Sequence, residues 1–286
     1  MSRPETSPLL GHRSSPSRLA VWKERLSEEV DVDDCGSALT AQCVIAGAAD
    51  AAAYGQTGTW VAFMTGNLTQ LTMSATTIGM TRPSPESSVN RLMLSGSSVL
   101  GFIVGAFVAM HLDRRFGSRS RGKLASMAVA RAAVCFVVAA WVAWEARRGH
   151  GWDGWIGAGA LALLAINMGS MAVNAQKVGN GPYATTVVFT ATLAQLFSDP
   201  LLPFAVSSAS LKRAKSIFGL ILGAALSQAI MILTPRLTET REETRLLKEA
   251  SSYGSAYALI FVGIVEVVAV GLWLRVKPAA AAATGR

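Results

Sequence analysis

Apolar residues fill most of this chain in blocks of similar length, separated by short polar and charged stretches. Leu92 to Leu112, Gly154 to Gln176 and Ser216 to Pro235 each run about 20 residues without Asp, Glu, Lys or Arg. Leu124 to Trp144 is interrupted only by Arg131, and Ala250 to Leu274 only by Glu266. An apolar helix of about 20 residues crosses the hydrocarbon core of a bilayer. Buried helices of a soluble protein would not repeat that length five times. The pattern predicts an all-α, polytopic membrane helical bundle.

A further apolar segment, about Gly36 to Tyr54, carries Asp50, and no charge follows it until Arg82. Inside that gap lies TWVAFMTGNLTQLTM (59–73), apolar at its flanks and dotted with Thr, Gly, Asn and Gln at its centre. TTVVFTATLAQLF (185–197) has the same character. Each piece is either an ordinary span with polar side chains bonded to neighbouring helices, or a re-entrant or broken element. Irregular backbone is tolerated at membrane depth only against protein or a wet cavity. Gly66 and the polar run Thr65, Asn67, Thr69 and Gln70 favour the second reading.

The two halves of the chain resemble each other. MTGNLTQL (64–71) aligns with FTATLAQL (189–196), Asp50 with Asn174, and GFIVGA (101–106) with GLILGA (219–224), in the same order and at offsets of 125, 124 and 118. This predicts a duplication, with repeat one over 35–145 and repeat two over 154–276. If both polar-dotted pieces cross, there are eight spans and the repeats point the same way. If both turn back, there are six, three per repeat, and the second repeat is inverted. Positive charge follows cytosolic loops. With the N-terminus cytosolic and Arg131 set aside as intramembrane, six spans put 17 Lys and Arg inside and 8 outside, whereas eight spans give 15 and 10. Six is favoured.

Composition changes the picture little. Charged residues are 15% of the chain and hydrophobic ones 51%, as a membrane bundle requires. The net charge of +8 sits between apolar segments, where it records topology and anionic lipid rather than nucleic acid. Cys35, Cys43 and Cys135 make no disulfide framework. Residues 1–34 read as a disordered cytosolic tail and 277–286 as a C-terminal tail. Glu5, Leu9 and Leu10 fit an acidic dileucine signal for a cytosolic sorting adaptor, a short pattern that also arises by chance, and the expected location is the vacuolar or the plasma membrane.

VAFMTGNLTQL (61–71) and NAQKVGNGPYATTVVFTATLAQLFSD (174–199) resemble the YoaK-like family, domain of unknown function 1275, and its fungal-type members. The group consists of multi-pass membrane proteins of bacteria and fungi, and the resemblance covers about residues 35–275. The chain departs from the family pattern at Met168 to Val173, where a Gly-Leu-Gln run is usual, and at Ala191, where a second Gly is common. The resemblance implies a membrane fold and no particular activity.

Candidate functional residues follow from polarity at depth. An ionisable group inside a membrane segment costs about 2.5–3.5 kcal/mol on insertion scales and faces a cavity, a partner or a pathway. Asp50 and its counterpart Asn174, with Thr65, Asn67, Thr190 and Thr192 of the two polar elements, are expected to line a solute site. Asp50 is alternatively a cap on the turn that follows it. Arg131 and Glu266, of opposite sign and similar depth, are expected to form a structural ion pair between the third and last spans. Gly101, Gly105, Gly219 and Gly223 form two Gly-x-x-x-Gly pairs, predicting that their helices meet on the repeat axis, or alternatively in a homodimer. No cofactor or metal set is visible, His12, His111 and His150 are scattered, and no enzyme motif is present. The expectation is a small-solute transporter or channel-like permease in the lipid bilayer, with a non-transporting scaffold as the alternative.

Overall fold

A computed structural model describes residues 18–179, 189–199, 207–238 and 245–279. Among them the chain forms α1 (Arg18–Ser27), α2 (Gly36–Thr57), α3 (Met64–Met80), α4 (Glu86–Phe116), α5 (Arg121–Arg147), α6 (Gly154–Val178), α7 (Phe189–Phe197), α8 (Ser208–Thr238) and α9 (Arg245–Arg275). The helices α4, α5, α6, α8 and α9 are each long and apolar enough to cross a membrane. The protein is a multi-pass membrane protein. Its outward faces carry Leu100, Phe107, Phe218, Ile221, Ile264 and Val267, all exposed. In water such a belt would be costly; against lipid tails it costs nothing.

The contacts define two ends. Around Val30 and Val276 gather the start of α2, the α4–α5 turn, the end of α6 and the start of α8, through Val30 to Arg119, Asp31 to Lys277, Arg119 to Lys177 and Lys212 to Asp33. This is the basal end. At the distal end, Gly154 N–H donates to Asn90 at 3.2 Å and Trp152 Nε1 donates to Ser255 Oγ at 3.0 Å. The helix α2 runs between these ends as well, and its 22 residues reach about 33 Å at about 1.5 Å each. With Gln42, Asp50 and Gln56 among its polar side chains, it falls outside the five helices that are apolar enough by composition to cross.

Three pairings organise the bundle: α4 with α6, α2 with α8, and α5 with α9. The first two are close because glycine permits it. A Cβ on Gly101 or Gly105 would strike the carbonyls of Ala162 or Ile166 on α6, and one on Gly223 that of Val44 on α2. The sequence predicted that the glycine-bearing helices α4 and α8 meet on the repeat axis; instead each packs its glycines on a different partner, α4 on α6 and α8 on α2. The reason is complementarity. Gly169 of α6 and Gly47 of α2 present equally bare backbone to Phe102 and Leu220, so small faces small on both sides.

The expectation of a disordered tail through residue 34 fails for its described part. The helix α1 is followed by antiparallel bridges from Glu29 to Ser120 and from Val30 to Pro278. Arg121, 1% exposed, donates to Glu28 at 2.7 Å, to the Arg25 carbonyl at 3.2 Å and to the Val276 carbonyl at 2.8 Å. These ties join segments far apart in sequence and order both tails as far as Ala279. The dileucine residues Glu5, Leu9 and Leu10 lie outside the described residues.

Candidate functional site

The chain leaves α2 at the distal end, where Gly58 adopts a left-handed φ of 65° and ends the helix. It then turns back down the side of α2. Asp50, two turns below the end of α2, accepts the Val61 and Ala62 N–H groups on Oδ1, both at 2.8 Å. No hydrogen bond reaches its Oδ2 among the described residues. After Phe63 the chain reverses again into α3, which climbs beside α4 in the opposite sense.

Asn67, fully buried in the first turn of α3, pins this reversal. Its Oδ1 accepts the Trp60 N–H at 3.1 Å, and its Nδ2 donates to the Trp60 carbonyl at 2.6 Å and to Ser98 Oγ at 3.0 Å. Ser98 in turn donates to the Trp60 carbonyl at 2.7 Å. One turn on, Gln70 donates to the Gly58 carbonyl at 3.0 Å and accepts from Ser95 at 3.2 Å. A backbone that leaves helical geometry at this depth must have its polar groups answered by protein, and these side chains answer them. The chain enters and leaves this element at the same, distal end. Gly66 is bare because the Phe63 ring lies where a Cβ would stand, with Trp60 in contact beside it.

A cavity of 380 Å³ opens beside the reversal, between α2 and α8. Asp50, Tyr54 and Trp60 line it from one side, Leu220 and Gln228 from the other. The Tyr54 and Trp60 rings stack, with centroids 4.0 Å apart and planes 20° from parallel. Among the described residues Asp50 is the one charged side chain on these walls.

The other predicted site residues are dispersed. Thr65 is exposed on α3 and lies off the cavity. On α7, Thr190 is exposed and Thr192 is buried. Asn174 belongs to a separate cluster at the basal end. There Lys123, 2% exposed in its side chain, forms an ion pair with Asp113 and donates to Asn174 Oδ1 at 3.2 Å and to the Ser118 carbonyl at 2.8 Å. So Asp50 and Asn67 share one element, and Asn174 does not join them. Tyr54, Trp60, Ser98 and Gln228 escaped the sequence reading. Ser95, Ser98 and Gln228 carried a signal, as polar residues within apolar runs.

Midway through the bundle Arg131 and Glu266 meet between α5 and α9. Nε donates to Oε1 at 2.7 Å and an Nη to Oε2 at 3.2 Å, in the two-pronged geometry that suits a guanidinium and a carboxylate. Asn167 donates to the Arg131 carbonyl at 3.1 Å and tethers α6 to the pair.

No curated protein and no solved structure matches the chain. Residues 38–238, well over half of the chain, match the family described as protein of unknown function DUF1275, broken element included, and the chain belongs to that family.

Proposed function

We propose that the protein is a permease for a small polar solute, built from two inverted three-span repeats. The observation that carries this reading is the reversal at 58–63, which holds a carboxylate against a cavity at membrane depth. Broken elements of this kind hold the substrate sites of many secondary transporters, an analogy of architecture alone.

The helix contacts support the repeat. Gly101 and Gly105 stand 118 positions before Gly219 and Gly223, and their neighbours Ala162 and Ile166 stand 122 positions after Thr40 and Val44, the neighbours of the second pair. One constant shift thus relates the α4 side of each contact and another the α2 side. In this register Asp50 corresponds to Ala172 rather than to Asn174. The halves then differ chemically, with the acid in the first alone. Lys and Arg gather at the basal end, which supports a cytosolic position for it. Gln42, buried eight residues below Asp50 on α2, has neither amide atom bonded among the described residues. A buried amide of that kind costs about 1–3 kcal/mol, which contact with water or solute along a polar route offsets.

Purified protein in liposomes, tested with a panel of labelled solutes, decides the matter. The reading expects flux of at least one solute, reduced in Asp50→Asn. A protein that moves none of them at any imposed gradient is not a permease. A second reading has its own observation: Asp50 Oδ1 and the Asn67 amide both hold the reversal together, as a scaffold would use them. In that case Asp50→Asn lowers the melting temperature and leaves every flux unchanged.

A further inference from the structure

We propose that the cavity between α2 and α8 binds a small organic cation, its ammonium group on Asp50 and its alkyl groups on the Tyr54 and Trp60 rings. The inference rests on the permease reading, because it takes this cavity as the solute site.

Charge comes first. Among the described residues Asp50 is the one charged side chain on the cavity walls, and none of the lining residues is Lys or Arg. Buried charges in proteins are paired or coordinate metals, so a carboxylate without a cationic side chain suits a positively charged ligand. Glu266 has Arg131, whereas Asp50 has two backbone amides on one oxygen and no cationic side chain among the described residues. An anionic solute would meet this carboxylate with nothing to balance it.

The rest of the lining decides between kinds of cation. Calcium takes about 6–8 oxygen ligands, and magnesium is as demanding in geometry. Here Oδ1 is already engaged, which leaves Oδ2, the Tyr54 hydroxyl and the Gln228 amide. Among the described residues no cluster of three acidic, His or Cys side chains is available to hold a metal. An ammonium with alkyl substituents asks for less: one carboxylate, and apolar or aromatic surface for its weakly hydrated shell. The walls supply both, since Leu220 and small residues of the two helices complete the surface. At 380 Å³ the space lies within the range of small-molecule sites, about 300–1,000 Å³.

The aromatic wall is also fixed before any ligand arrives. Trp60 is stacked on Tyr54 and edge-on to Phe63 at 6.0 Å, and its backbone is held on both sides by Asn67 and Ser98. A site that does not have to be ordered on binding keeps more of its interaction energy.

The test uses purified full-length protein in lipid nanodiscs and follows tryptophan fluorescence and heat of binding. The probes are choline, methylammonium, and 3,3-dimethylbutanol, which has the shape of choline without its charge. Saturable binding of choline or methylammonium is expected, with the uncharged analogue weaker by at least about tenfold. Asp50→Asn, which keeps an oxygen for the Val61 and Ala62 amides, is expected to weaken choline by about tenfold or more. Trp60→Leu weakens it as well. The proposal is overturned if wild-type protein binds neither ammonium, or binds choline and the alcohol alike. Choline affinity unchanged in Asp50→Asn overturns it too. Liposome flux separates this from the broader reading. Transport of uncharged solutes without ammonium binding removes the cation site and leaves the permease. Ammonium binding with no flux of any solute keeps the site and removes the permease.

Discussion

Asp50 and Glu266 are acids set within otherwise apolar helices, and the protein treats them in opposite ways. Glu266 is fully buried and locked by Arg131 in a two-pronged pair between α5 and α9. Asp50 meets no cationic side chain among the described residues; the Val61 and Ala62 amides of a backbone reversal steady one of its oxygens, and it lines a cavity. Glu266 is neutralised by its own protein and has nothing left to offer a ligand. Asp50 is only partly compensated, by oriented dipoles, and keeps an oxygen to spare. The difference separates an acid that holds the fold from an acid that is available for chemistry.

Making the same small change at both acids sharpens that contrast most. Glu266→Gln strands the Arg131 charge and is expected to cost about 3–5 kcal/mol, read as loss of folded protein on gel filtration or a large drop in melting temperature. Replacing both partners by Met should recover most of that loss, because no unpaired charge is left. Gly223→Val comes next. Its side chain must push α8 off the Val44 carbonyl, an overpacking expected to cost about 1–3 kcal/mol and to show in thermal unfolding. Asn67→Ala leaves the Trp60 N–H without its acceptor, with an expected loss of about 1–2 kcal/mol. Faster hydrogen exchange confined to 58–66 would locate that loss. Smallest is Asp50→Asn, expected to change stability by less than about 1 kcal/mol because Oδ1 remains an acceptor, while solute flux falls. If Asp50→Asn unfolds the protein as readily as Glu266→Gln does, the two acids are alike and the contrast is lost.

Much of this was legible in the sequence. The apolar runs located α4, α5, α6, α8 and α9, because charges stop where the bilayer begins, although α4 and α8 start six and eight residues before their runs. The Arg131–Glu266 pair was legible as well: two isolated opposite charges at similar depth have few other ways to be accommodated. The reversal was visible as a polar-dotted stretch, but its placement was not. The irregular backbone is Gly58 to Phe63, largely apolar and aromatic, whereas the polar Thr65 to Gln70 are helical and serve as its clamp. Asp50 acts on backbone amides 11 and 12 positions away, which no side-chain pattern reveals. Asn174 was set beside Asp50 by alignment; in space it accepts from Lys123, in the first turn of α5. The ordered stretch from α1 to Asp34 was missed because long-range ties through Arg121 and Pro278 order it.

The central claim is that the chain enters and leaves the element after α2 at one face of the membrane. Single cysteines at Thr57 and Ser84, with a reference at Phe116, test it by side-selective labelling in sealed vesicles. The native thiols interfere little: all three are buried, and burial, with Asp31 and Asp34 nearby, pushes the Cys35 thiol up to about 12, so that thiolate is scarce at neutral pH. Labels at 57 and 84 should react from the same side, with 116 reacting from the other. If 57 and 84 react from opposite sides, α3 crosses the bilayer, the repeats are not inverted, and the account is wrong.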